Sequence, residues 1–136
     1  MTDDKTIYGL RMVAEFYRRV GKPIRTRPTG SIPSGEVNQL MRLLREEVDE
    51  LTVAVEAKDV VGIADGLGDI VYVVYGAALQ YGIDLDRVLV AIHEANMTKP
   101  NADGSIMRAR DGKIMRGDSY LEPALREALG LEGEGN

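Results

Sequence analysis

Residues 60–79 read Val60-Val61-Gly62-Ile63-Ala64-Asp65-Gly66-Leu67-Gly68-Asp69-Ile70-Val71-Tyr72-Val73-Val74-Tyr75-Gly76-Ala77-Ala78-Leu79. Wound at about 100° per residue, Val60, Val61, Ile63, Leu67, Ile70, Val71, Val73 and Val74 occupy nearly the whole circumference. The spacing therefore predicts a helix buried on all sides. Into this apolar rod are set Asp65 and Asp69, one turn apart on one face. A helix with no polar side offers a carboxylate little water, and a buried carboxylate needs a partner. Gly62 and Gly76 flank that face and are expected to leave room for something bulky.

The preceding stretch carries the complementary signal. Glu46-Glu47-Val48-Asp49-Glu50 lies within a segment whose Val37, Leu40, Leu43, Leu44, Val48, Leu51 and Val55 make one apolar stripe. Glu47 falls about 20° from Leu40, inside that stripe. Glu50 sits at its edge, Glu46 slightly beyond, and Asp49 points the opposite way. Three of the four acids thus lean toward a neighbouring helix.

Antiparallel pairing of the two segments brings Glu46, Glu47, Glu50, Asp65 and Asp69 toward one another. Two like charges 4 Å apart repel by about 1 kcal/mol in water and about 4 kcal/mol at an intermediate effective dielectric. Several such pairs rival a whole domain's stability of about 5–15 kcal/mol. Protons or cations must neutralise the cluster. With no cysteine and a single histidine in the chain, His93, the donors are carboxylate oxygens. That set selects a hard cation, Mg²⁺, with Mn²⁺ as a substitute. Mg²⁺ keeps waters and recruits substrate phosphates, so the expected substrate is a polyphosphate.

Around this centre the chain reads as helices. Ile7, Leu10, Val13, Tyr17 and Val20 predict a first helix over about 3–20. Residues 21–34, with Pro23, Pro28, Gly30 and Pro33, must be a loop, and it carries Lys22, Arg25 and Arg27. Ser34 is expected to cap a second helix to about Lys58, Asp59 a third to Tyr81 closed by Gly82, and Asp84 a fourth to about Met97. In that fourth helix Leu85, Val88, Leu89 and Ile92 make the inward stripe, which Asn96 continues, while His93 lies off it as a surface or packing residue. Pro100 closes it. Residues 103–108 and 111–116 repeat an Asp-Gly-x-Ile-Met-Arg pattern and suggest a small hairpin, and Leu121 to Leu129 a short last helix. The fold class expected is an all-α four-helix bundle core with a small C-terminal hairpin or loop extension, a single domain over 1–136 completed by oligomerisation.

Composition excludes several classes. The 136 residues are 44% hydrophobic and 29% charged, an ordinary globular balance. A net charge of -5 argues against a general nucleic-acid binder. Residues 1–44 hold four acids and eight bases, whereas residues 45–69 hold eight acids and two bases. Without cysteine there are no disulfides, zinc thiolates, iron–sulfur clusters or cysteine nucleophiles. The opening Met1-Thr2-Asp3-Asp4-Lys5 is unlike a secretory signal, and the apolar run Ile70 to Leu79 is short for a bilayer. A soluble cytoplasmic protein without membrane or nucleic-acid partners is expected.

Glu46-Glu47-x-x-Glu50 followed on the next helix by Asp69 resembles the all-α nucleoside triphosphate pyrophosphohydrolases. That superfamily includes the MazG-like proteins, the dimeric dUTPases and phosphoribosyl-ATP pyrophosphohydrolase, and its signature is ExxE on one helix and ExxD on the next. Glu47 to Glu50 matches the first half. In the second half Gly66 stands where a glutamate belongs, and Asp65, on nearly the same face, is the candidate replacement. The resemblance covers roughly residues 35–100. Beyond it, Asn96-Met-Thr-Lys99, Arg110-Asp-Gly-Lys113 and Arg116-Gly-Asp-Ser-Tyr120 resemble one MazG-like branch.

The resemblance implies hydrolysis of a nucleoside triphosphate to the monophosphate and pyrophosphate. Glu47, Glu50 and Asp69, with Glu46 and Asp65, would hold two or more Mg²⁺ ions, and Glu46 or Glu47 would orient or deprotonate the attacking water. Asn96, Lys99, Lys113, Arg116 and Tyr120 would contact substrate, from an extension over 101–136 that covers it. Attack at the α and at the β phosphorus both remain open. dUTP or another unwanted deoxynucleotide is the expected substrate, in nucleotide-pool house-cleaning. The alternatives are phosphoribosyl-ATP cleavage in histidine biosynthesis and a non-catalytic helical dimerisation module. The all-round apolar third helix asks for cover by a second copy, as a homodimer or homotetramer, in every case.

Overall fold

The computed structural model describes residues 9–97 and 121–131. Among them every regular element is a helix: α1 (Gly9–Val20), α2 (Ser34–Glu56), α3 (Val60–Tyr81), α4 (Leu85–Met97) and α5 (Leu121–Ala128). The all-α expectation is met. The hairpin expected over 103–116, the start of the first helix before residue 9 and the stop at Pro100 lie outside the described residues.

Contacts gather the chain into two compact units, Met1–Ile83 and Asp84–Asn136. In the first, α2 and α3 run antiparallel. A Cβ placed on Gly62 would lie 3.0 Å from that of Ala54, and one placed on Gly66 would lie 3.1 Å from that of Leu51. Hydrogen-bonding side chains of Glu36 and Gln80 mark the other end of the pair. The turn between them is short because Lys58 takes a left-handed conformation, φ 55°. Asp59 then accepts from the amides of Val61 and Gly62 at 3.2 and 3.1 Å, satisfying two of the donors that open α3. At the far end Gly82, φ 70°, reverses the chain. Its N–H reaches Leu79 O at 3.3 Å and that of Ile83 reaches Ala78 O at 2.8 Å, the paired bonds of a Schellman stop. A side chain at Gly82 would strike the Arg27 carbonyl, so both the backbone angle and the crowding require glycine.

Helix α1 lies across α3, burying Val13, Ala14 and Tyr17 together with Leu79. The proline-rich loop that follows is stitched to the end of α3 by Arg25 N–H to Leu79 O (2.9 Å) and Thr29 N–H to Tyr81 O (3.0 Å). The guanidinium of Arg25 holds Glu36 through two bonds of 2.9 and 2.8 Å and donates to Gln80 O at 2.7 Å.

Three local expectations are corrected. Ser34 is the first helical residue of α2 rather than its cap; Pro33 precedes it, and no side chain caps that end. Gly62 and Gly76 make no room for a guest. Gly62 and Gly66 let α2 come close, and the ring of Tyr17 fills the space over Gly76. Finally, α3 is not covered on all sides within one chain. Among the described residues α1 and α2 pack extensively against it, while Val60 is 75% and Val61 74% exposed, with Leu67 and Val71 also open. With 22 residues, α3 is long and apolar enough to cross a bilayer by length and composition, which a core helix also satisfies.

In the second unit α4 packs on α5. The Asp84 side chain accepts from the Arg87 amide at 3.3 Å, as the expected cap does. Helix α4 buries Ala91 and Ala95, so its inward face is rotated from the stripe expected, and Asn96 and Leu89 are exposed. The two small alanines allow α4 its close packing. His93 is exposed, as expected.

Candidate active site

Glu47 and Glu50 project from consecutive turns of α2, and Asp69 faces them from α3. Carboxylate oxygens of the three lie within 4.8 Å of one another. Glu47 and Asp69 are half-buried and Glu50 is exposed, so the group forms a cup open at one rim. Gly66 positions it. Because α3 has no side chain there, its backbone lies flat against Leu51, and the next turn brings Asp69 opposite Glu47.

The electrostatics of the cup are uncompensated. Glu47 Oε2 is buried and has no hydrogen-bond partner among the described residues. Removal from water, then the charges of Asp69 and Glu50, a hydrogen bond to Asp69 that only the protonated Glu47 can donate, and the charge of Asp65 push the Glu47 carboxyl above its usual range. A buried acceptor without a donor is costly, and one ringed by further carboxylates more so. No neighbouring lysine, arginine or histidine offsets it among the causes of that shift. The donor set is oxygen only, which suits Mg²⁺ or Mn²⁺ rather than zinc or copper. Glu47, Glu50 and Asp69 therefore fit a divalent cation by geometry and by chemistry.

The other expected residues are placed differently. Glu46, on the same turn as Glu47, is exposed and outside the group of three. Asp65 is exposed too, and bears on the cup through its charge on Glu47. A glutamate at position 66 could not reach the cup without displacing Leu51. Asn96 stands exposed on α4 in the other unit. Lys99, Lys113, Arg116 and Tyr120 lie outside the described residues.

One feature of the same helices escaped the sequence. Next to the carboxylates, a cavity of about 190 Å³ opens between α1, α2 and α3. Phe16 and Tyr72 meet edge to face at its lining, ring centroids 5.8 Å apart. Gln80, a buried amide in an apolar helix, was its only signal in the chain.

The sequence profile of the phosphoribosyl-ATP pyrophosphohydrolase family matches residues 13–96. That span includes α2, α3 and all three carboxylates of the cup. The chain belongs to this family, within the all-α pyrophosphohydrolase superfamily that its motifs resemble. An uncharacterized protein of Acanthamoeba polyphaga mimivirus is 36% identical over 89 residues, covering 63% of this chain and 36% of that protein. The chain thus spans about a third of that relative's length. Membership defines a pyrophosphohydrolase domain and is consistent with a divalent-metal site at the cup.

Proposed function

We propose that this protein hydrolyses a nucleoside triphosphate to the monophosphate and pyrophosphate, with Mg²⁺ (Mn²⁺ as substitute), removing dUTP or another unwanted deoxynucleotide from the cytoplasmic pool. The observation that carries this reading is the orphaned, buried Glu47 Oε2 facing Asp69 and Glu50. Glu47, Glu50 and Asp69 would hold the cation, with Asp65 adding to the negative field. A bound divalent ion supplies charge neutralisation for the polyphosphate and a lowered pKa for the attacking water. Glu46 or Glu47 orients that water and accepts its proton. Lys99, Lys113 and Arg116 contribute phosphate contacts, Tyr120 and Asn96 further substrate contacts. The exposed apolar face of α3 supports assembly as a homodimer or homotetramer.

A second reading, cleavage of phosphoribosyl-ATP in histidine biosynthesis, is favoured by the family to which residues 13–96 match. Both substrates carry a triphosphate chain and release pyrophosphate, so the cup serves either. Pyrophosphate release from a panel of deoxynucleoside and ribonucleoside triphosphates plus phosphoribosyl-ATP, with and without Mg²⁺, ranks them. Mg²⁺-dependent release from a deoxynucleotide supports the first reading. Release from phosphoribosyl-ATP alone supports the second. No release from any substrate returns the chain to a non-catalytic helical module.

A further inference from the structure

The cavity one helical turn from the carboxylates has a lining that suits a flat ring. Leu40 and Leu43 of α2, Val73 of α3 and the rings of Phe16 and Tyr72 line it. Its place relative to the cup is set by helix register. Leu43 precedes Glu47 by one turn of α2 and Tyr72 follows Asp69 by one turn of α3, so the near rim of the slot is about 5 Å from the cup along the helices, and Gln39, two turns before Glu47, is about 12 Å from it.

The polar groups of the slot divide into committed and uncommitted. Both oxygens of Glu36 accept from Arg25, and Glu36 Oε1 also accepts from the Gln80 amide at 3.4 Å. The other end of the Gln80 amide takes the Tyr17 hydroxyl at 3.5 Å. Lys22 and Gln39 have no side-chain hydrogen bond among the described residues, and the ammonium of Lys22 stands over the Tyr17 ring, 5.2 Å from its centroid. Lys22 offers three donors and no acceptor, and Gln39 two N–H donors and one acceptor oxygen. The uncommitted chemistry is therefore weighted toward donation.

Resting on the nucleotide reading above, we infer that this slot takes the nucleobase and that Lys22 and Gln39 select its exocyclic group, preferring a ring carbonyl to a ring amine. Thymine, uracil and guanine present a carbonyl oxygen at that position, where cytosine and adenine present an amino donor. An ammonium attracts the first and repels the second. Phe16 and Tyr72 supply stacking and set no preference of this kind, because every base has a π-face. The selection disfavours adenine, and so sets the slot against phosphoribosyl-ATP.

The test measures kcat/KM for dTTP, dUTP, dGTP, dCTP and dATP with wild type, Lys22→Glu and Lys22→Met, alongside NMR titration of the metal-free proteins with thymidine and deoxycytidine. The wild type is expected to favour carbonyl bases by about tenfold or more, mainly in KM. Lys22→Met should erase that ratio, and Lys22→Glu, which supplies acceptors, should invert it. Thymidine should shift the Phe16 and Tyr72 ring signals while deoxycytidine shifts them weakly. Hydrolysis with no base preference, or with a preference that both Lys22 variants retain, overturns the inference and leaves the pyrophosphohydrolase intact. Absence of hydrolysis overturns the catalytic reading; thymidine binding at the two rings would then still support the slot, and its absence would overturn that as well.

Discussion

Gly66 of α3 rests against Leu51 of α2, where an added Cβ would come within 3.2 Å of the Leu51 Cα as well as 3.1 Å of its Cβ. The contact is with backbone, which cannot swing aside, and it fixes how closely Asp69 approaches Glu47 one turn later. Gly66→Ala is expected to cost about 1–3 kcal/mol in overpacking, more than the roughly 1 kcal/mol it gains in helix propensity. Gly68, two residues on, has nothing within 4 Å. Gly68→Ala should therefore stabilise by about 0.5–1 kcal/mol. Urea denaturation of the two variants checks the opposite signs, and the Gly66 variant should also bind metal more weakly.

Removing the charge at the cup should separate activity from folding. Glu47→Gln and Asp69→Asn are each expected to lower turnover by about 10²-fold or more while far-UV circular dichroism stays that of the wild type. Each change removes one member of the repelling group: Glu47→Gln the raised carboxyl itself, Asp69→Asn the charge that bears on it most.

Asp65 should behave otherwise. It is exposed and acts on Glu47 through space, so Asp65→Asn is expected to cost less than about tenfold in turnover, against the far larger loss in Asp69→Asn. Steady-state assays at saturating Mg²⁺ compare them. Equal losses would make Asp65 a direct ligand.

The fold was legible because periodicity and stop signals agreed. Asp59, Gly82 and Asp84 punctuate the chain where the sequence places them, and Glu47 announces itself as an acid inside an apolar stripe. What the pattern could not supply was depth. Val60 and Val61 read as core, yet among the described residues α1 and α2 cover α3 and leave both valines exposed. Nor does periodicity tell a glycine that makes room from one that removes it; Gly76 reads as space and is filled by Tyr17. The cavity combines Phe16, Leu43, Tyr72 and Gln80 from three helices, and no local spacing links them.

The Arg25–Glu36 pair gives the acid side of stability a definite sign. Hydrogen bonding to Arg25, then to Gln80, holds the Glu36 carboxyl below its usual range despite partial burial. The stabilisation it gives is present above the ordinary glutamate pKa and is lost as pH falls through the lowered one. Arg25→Met should therefore be less stable than wild type near neutral pH, with the difference shrinking as the solution is acidified below the ordinary glutamate range. Thermal unfolding across pH 2–7, roughly the range over which such a carboxylate titrates, follows it.

Calorimetric titration of Mn²⁺ into the metal-free protein and into Glu47→Gln addresses the carboxylate cup most directly. The wild type should bind a divalent ion, with affinity reduced by at least about tenfold in the variant. Equal binding by both proteins, or none by the wild type at millimolar Mn²⁺, would contradict the assignment of Glu47, Glu50 and Asp69 as the metal site.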